Sequence, residues 1–226
     1  MIYKHSKSTK LRPGNQLKTI RAIVIFSCAS LIFFSTVESA MAHHPMGGRT
    51  PANLWEGLLS GMGHPIIGMD HLAFVVAVGL IAATIPNGIS ILASFLATAM
   101  LGTGIHLLSI DLPLTEIAIA FSVVTFGVML AFKQKLNTLL LIIFAGIAGI
   151  FHGYAYGEAI IGAEMTPLLA YLVGFTAIQL FIALLAMKLA ELVSNYLKNQ
   201  FFALIRFLGL AISSIGVVFF TRAILS

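Results

Sequence analysis

Residues 64 to 71 read HPIIGMDH, two histidines and an aspartate set at the start of the apolar run LAFVVAVGLIAA. Imidazole nitrogen together with carboxylate oxygen suits borderline divalent cations such as Ni²⁺, Co²⁺ and Zn²⁺, whereas Mg²⁺ and Ca²⁺ prefer oxygen alone. On a continuous helix His64 and His71 would be two turns and about 10 Å apart, too far to share one ion. Pro65 and Gly68 offer a break at which His64 folds back over Asp70 and His71. The plainer alternative is that His64 and Asp70 only cap a helix start at a membrane surface.

A second polar stretch, FHGYAYGEAI at 151–160, places His152 and Glu158 in an otherwise apolar segment. Gly153 and Gly157 form a small-xxx-small face suited to close helix contact. Packing accounts for the glycines and leaves Glu158 unexplained. His106, Glu116 and the pair His43-His44 in HHPMGG complete the candidate metal ligands, the alternatives being a satisfied interfacial histidine for His106 and a flexible tail for HHPMGG. Gln179 is an amide in an apolar stretch, either a polar ligand or a link between helices. Met62 and Met69 beside the first motif keep a Cu(I) site open.

The elements that must position these residues belong to a membrane. Hydrophobic residues make up 59% of the chain and charged ones 9%, with a mean hydropathy of +1.01. A soluble domain needs far more polar surface. A hydrocarbon core about 30 Å thick takes about 20 apolar residues per helix. The expected fold is therefore all-α and polytopic, with six transmembrane helices near 66–84, 88–108, 113–132, 137–160, 164–187 and 203–223. Pro86-Asn87-Gly88, Asp111-Leu112-Pro113 and Lys133-Gln134-Lys135 break the first three pairs. A short interfacial helix over 53–60 precedes them, with Leu54, Trp55, Leu58 and Leu59 on one side.

The start of the chain reads as a secretory leader, the alternative being an uncleaved seventh helix. Lys4, Lys7, Lys10, Arg12, Lys18 and Arg21 precede the apolar stretch 22–37, and Ala40-Met41-Ala42 supplies a cleavage site. Residues 1–42 are expected to be removed, leaving a six-helix permease domain over 43–226 that starts at His43. Cys28 lies within the leader, so the mature chain would hold no disulfide and no thiolate ligand. The net charge of +5 comes largely from this leader and gives no reason to expect nucleic acid.

With the mature N-terminus outside, the loops after spans one, three and five are cytoplasmic, and Lys133, Lys135, Lys188, Lys198 and Arg206 fall on that side. Only Arg49 and Arg222 remain outside, as the positive-inside rule requires. After the leader, every histidine and every acidic residue except Glu191 then lies in the outer half. Ionisable groups in a span cost several kcal/mol unless they face a cavity, a partner or an ion. Their convergence from four helices toward one face reads as a binding site in an inner or plasma membrane.

His64-Pro65-x-x-Gly68-x-Asp70-His71, Glu116 opening the third span and Phe151-His152-Gly153-x-Ala155-x-Gly157 together resemble the HupE/UreJ family of nickel and cobalt permeases. The resemblance runs over essentially the whole mature chain. It implies import of Co²⁺ or Ni²⁺, and HHPMGG with GLLSGMGHP is most similar to cyanobacterial members, for which it implies cobalt. The family's pattern usually places a second histidine where this chain has Tyr156, which leaves the metal preference open.

No G-x-x-x-x-G-K-[ST] loop is present, so transport is expected to be potential-driven or secondary, without a prosthetic group. The lipid bilayer and the divalent ion are the expected partners. An intramembrane metalloenzyme would need an H-E-x-x-H or nucleophile-elbow pattern, and none occurs, so no enzyme is expected. The remaining alternative is a membrane accessory protein that binds metal for hydrogenase or urease maturation without transporting it.

Overall fold

A computed structural model describes residues 49–132, 137–197 and 200–225. The expected leader, residues 1–42, and the His43-His44 pair lie outside the described residues. Seven α-helices and no strands occur among those described: α1 (Leu54–Ile67), α2 (Met69–Ala82), α3 (Ile89–Leu107), α4 (Thr115–Ala131), α5 (Thr138–Glu158), α6 (Met165–Tyr196) and α7 (Phe201–Leu225). Four of these, α3, α5, α6 and α7, are long and apolar enough to cross a membrane. The bent pair α1 and α2 is long and apolar enough to count as a fifth if it forms one span, and α4, at 17 residues, is shorter.

The sequence predicts a short surface helix over 53–60 followed by a separate first span near 66–84. The structure differs. Asn53 caps α1 by accepting from the Glu56 amide at 3.0 Å, and the Glu56 carboxylate accepts from the Ala52 amide at 2.9 Å. The helix then continues to Ile67 because Gly57 and Gly61 let it lie directly on α6. A Cβ at either glycine would run into the backbone of Pro167 or Tyr171, and one at Gly174 would meet the Leu58 carbonyl. Trp55 and Leu59 stay exposed on the outer side of this contact.

Pro65 has no amide proton to extend the hydrogen-bond ladder, and α1 stops two residues later. Gly68 takes an extended conformation, φ −70° and ψ 101°, and its amide bonds back to the His64 carbonyl at 3.0 Å. Its own carbonyl accepts from Leu72 at 2.8 Å and starts α2. The two axes meet at 79°. The break expected from Pro65 and Gly68 is present, and His64, Pro65 and Gly68 are buried at it.

Three close helix pairs, α1 with α6, α3 with α5 and α4 with α7, surround α2, which touches members of all three. α2 is apolar all round, and nearly all of it is buried, from Asp70 through Ala82. Between helices in lipid there is little hydrophobic driving force, so close backbone approach and interhelical hydrogen bonds hold the bundle. Gly149 and Gly153 of α5 lie against Phe95 and Ala99 of α3, and Gly102 of α3 lies against Ile150. The Thr103 hydroxyl donates to the Gly153 carbonyl at 2.7 Å and Ser94 to the Ile142 carbonyl at 2.9 Å. In α4 and α7, Gly127 and Gly209 meet in the same way.

The start of α1, the α3–α4 connection and the α5–α6 connection share one end of the bundle, called here the near end. The Thr50 hydroxyl donates to the Ile161 carbonyl at 3.3 Å there. Large apolar side chains such as Leu101, Phe121, Leu139, Val173 and Phe181 are more than half exposed around the bundle, as a lipid-facing belt requires.

Candidate metal-binding site

The break at Gly68 is what assembles the site. It brings His64 from the last turn of α1 and His71 from the first turn of α2 to a ring-centroid separation of 5.6 Å. Asp70, also in that first turn, accepts from the His71 amide at 2.9 Å, a carboxylate placed at a helix N-terminus. α5 contributes His152, whose Nδ1 lies 2.8 Å from His71 Nδ1. Tyr156, one turn further along α5, has its ring 5.1 Å from His64 and 4.7 Å from His71. His64, Asp70, His71, His152 and Tyr156 are all at most 1% exposed.

A shell of polar groups holds these rings. The Tyr171 hydroxyl of α6 donates to the Tyr156 carbonyl at 2.7 Å and lies 3.1 Å from His64 Nδ1. The Tyr156 hydroxyl donates to Gln179 Oε1 at 3.3 Å, and Gln179 Nε2 donates to the Phe175 carbonyl at 3.0 Å. Ser122 of α4 lies 3.0 Å from His152 Nε2 and donates to the Ile119 carbonyl at 2.7 Å. Away from the near end the site meets an aromatic floor. Phe74 stacks on His152 at 4.4 Å, Phe95 meets it edge-on at 5.9 Å, and Phe126 packs on Phe74 at 4.8 Å.

Of the residues expected to ligate metal, His64, Asp70, His71 and His152 meet in this one buried cluster. His106 does not join it. Its Nδ1 bonds to the Tyr154 carbonyl at 2.8 Å, its ring packs on Tyr154, and it lines a separate near-end cavity of about 290 Å³ with Ser109, Asp111 and Gly162. Glu116 and Glu158 are exposed, in the first turn of α4 and at the last residue of α5. Among the described residues no three His, Cys, Asp or Glu side chains form a ready cage for one ion. The cluster offers paired imidazoles, with phenols and an amide around them.

Ser122 and Tyr171 are functional side chains that the sequence motifs do not include. Tyr171, Phe175 and Gln179 follow one another at four-residue spacing, and that stripe puts a hydroxyl and an amide on one face of an apolar helix. Ser122 gave no comparable signal, since a lone serine in a span usually bonds its own helix.

The fold and the buried cluster define a multi-pass helical membrane protein with a histidine-rich polar core. The chain belongs to the HupE/UreJ family: the family model described as HupE / UreJ protein matches residues 31–219. It is similar to Protein HupE of Rhizobium leguminosarum bv. viciae, 34% identical over 139 residues, which cover 61% of this chain and 72% of that protein. No solved structure matches the chain.

Proposed function

We propose that the chain is a permease that imports Co²⁺ or Ni²⁺ across the inner or plasma membrane. One observation carries this reading. Two histidines from either side of a helix break, and a third bonded to one of them, are buried at a bend inside an apolar bundle. Non-helical backbone at membrane depth is tolerated where it lines a cavity or ion path, and broken helices are how many transporters place their substrate site.

In this reading the bundle has six spans, with α1 and α2 together forming the first and α4 the third. Residues 1–42 are a cleaved signal peptide, and the near end faces the outside. The ion meets His43 and His44 first, then the near-end groups His106, Glu116 and Glu158, and then His64, Asp70 and His71. Donors that do not close into a full cage suit a cargo that must leave again, because binding strong enough to capture must remain weak enough to release. A divalent cation moving inward gains about 2.3 kcal/mol per charge per 100 mV, hence about twice that in all.

Accumulation of radiolabelled cobalt by cells expressing the chain, with unlabelled Co²⁺, Ni²⁺ and Zn²⁺ as competitors, tests the reading. A permease raises the internal pool, and the competition order gives its metal. An accessory protein for hydrogenase or urease maturation binds metal and leaves the internal pool unchanged, which would overturn the proposal.

A further inference from the structure

His152 carries the residue type of a ligand, yet both of its ring nitrogens are already engaged. The direction of those bonds depends on where the Ser122 proton goes, and its shorter contact, to a carbonyl that can only accept, takes it. A serine hydroxyl has one proton to donate. Ser122 places it on the Ile119 carbonyl at 2.7 Å, so the oxygen presents a lone pair to His152 Nε2 at 3.0 Å. Nε2 of His152 therefore carries that ring's proton, and in the neutral imidazole Nδ1 is the acceptor. Facing it at 2.8 Å, His71 must donate from its own Nδ1. His71 is thereby held in the tautomer whose lone pair lies on Nε2.

The same rule acts on His64 from the other side. The Tyr171 phenol gives its proton to the Tyr156 carbonyl at 2.7 Å, so it accepts from His64 Nδ1 at 3.1 Å. His64 too keeps its lone pair on Nε2. Two independent hydrogen-bond chains, each ending on a backbone carbonyl, thus prepare two neighbouring imidazoles alike.

We propose that Ser122 and His152 are positioning residues that hold His71 as an Nε2 donor toward a borderline divalent cation, as Tyr171 holds His64, and that His152 is not itself a ligand. This rests on the permease reading of the same site. Metal-binding imidazoles commonly donate their other N–H to a carbonyl or similar group, and losing that partner typically costs 10–100-fold in metal affinity. Burial makes the arrangement strict. With His71 at 1% and His152 at 0% exposure, a wrong tautomer would oppose two lone pairs or two N–H groups with little access to water. Phe74 stacked on His152 with the planes at 30° opposes a ring flip.

The test uses the full chain in lipid nanodiscs with isotopically labelled histidine, read by proton–nitrogen spectroscopy. In the metal-free protein His152 is expected as Nε2–H, and His71 and His64 as Nδ1–H. Addition of ZnCl₂ should move Nε2 of His64 and His71 into the metal-bound range and leave both nitrogens of His152 in theirs. Ser122→Ala should mix the tautomers of His152 and His71 and raise the half-saturating Zn²⁺ by about 10–100-fold. Ser122→Thr, which keeps the hydroxyl, should restore both. His71 found as Nε2–H, zinc on a nitrogen of His152, or a Ser122→Ala protein with unchanged tautomers would each overturn the proposal. Should Ser122→Ala fail to fold, the wild-type spectra with and without zinc still decide it. The expected tautomers with no histidine responding to ZnCl₂, CoCl₂ or NiCl₂ would overturn the cation site of the permease reading and leave the hydrogen-bond directions standing.

Discussion

Gly61→Ala offers a test of how the helix break is positioned, because it adds one methyl group and no polar atom. The new Cβ would fall onto the Tyr171 carbonyl and within 3.0 Å of the Phe175 amide nitrogen, both backbone atoms of α6 that no rotamer change can move aside. α1 must retreat by about 1 Å to restore van der Waals contact, and such overpacking typically costs about 1–3 kcal/mol. The same displacement carries His64, one turn on, away from Tyr171, and its 3.1 Å hydrogen bond lengthens past the useful limit. A lost interhelical bond in a membrane averages about 0.6 kcal/mol, and the loss of a partner that orients a metal ligand costs about tenfold or more in affinity. Gly104→Ala is the matched control, since a Cβ there meets nothing within 4 Å. Cobalt uptake, normalised to protein in the membrane, should show a half-saturating concentration raised about tenfold for Gly61→Ala and unchanged for Gly104→Ala. Equal behaviour of the two variants would refute the claim that α1 packing sets the position of His64.

Other perturbations separate the remaining parts. Tyr156→Phe removes only a 3.3 Å bond to Gln179 and should keep most of the uptake, while Tyr156→His sets a third imidazole between His64 and His71. That variant should bind Co²⁺ more tightly and release it more slowly, as equilibrium dialysis and uptake rates would show. Phe74→Ala removes a fully buried ring from the floor beneath His152, at a stability cost of about 3–5 kcal/mol. In liposomes that still contain folded protein it should raise passive proton leak, read with an internal pH dye. Replacing His43 and His44 by alanine should raise half-saturation and leave the maximal rate nearly unchanged. Protons compete with metal for imidazole nitrogen, so the advantage those residues give should fade as pH drops through the ordinary histidine range near 6.5.

Much of this was legible in the sequence. The apolar composition gave the all-helical membrane class, and Pro65 with Gly68 marked the break. His64, Asp70, His71 and His152 stand out by residue type, and they share one buried cluster. The role of α1 was not legible. Leu54, Trp55 and Leu59 look like an interfacial stripe, and only the contact of Gly57 and Gly61 with α6 reveals a packed helix. His106, Glu116 and Glu158 match the cluster only in depth along their helices. Which way each helix turns them depends on tertiary packing, and that leaves the two glutamates exposed and turns His106 onto the Tyr154 carbonyl. The hydrogen-bond shell of Ser122 and Tyr171 depends on contacts between distant helices, which no local pattern encodes.

The most direct measurement is Co²⁺ entry into liposomes that contain only this protein. An inside-negative potassium diffusion potential drives the ion, and a metal-quenched dye inside reports its arrival. At 100 mV the electrical driving force on a divalent ion is about 4.6 kcal/mol, or about three decades of accumulation. The expected result is quenching that scales with the potential and is lost in His71→Ala at equal protein incorporation. Co²⁺ that binds to the wild-type protein yet never reaches the interior dye, at any potential, would contradict a permease.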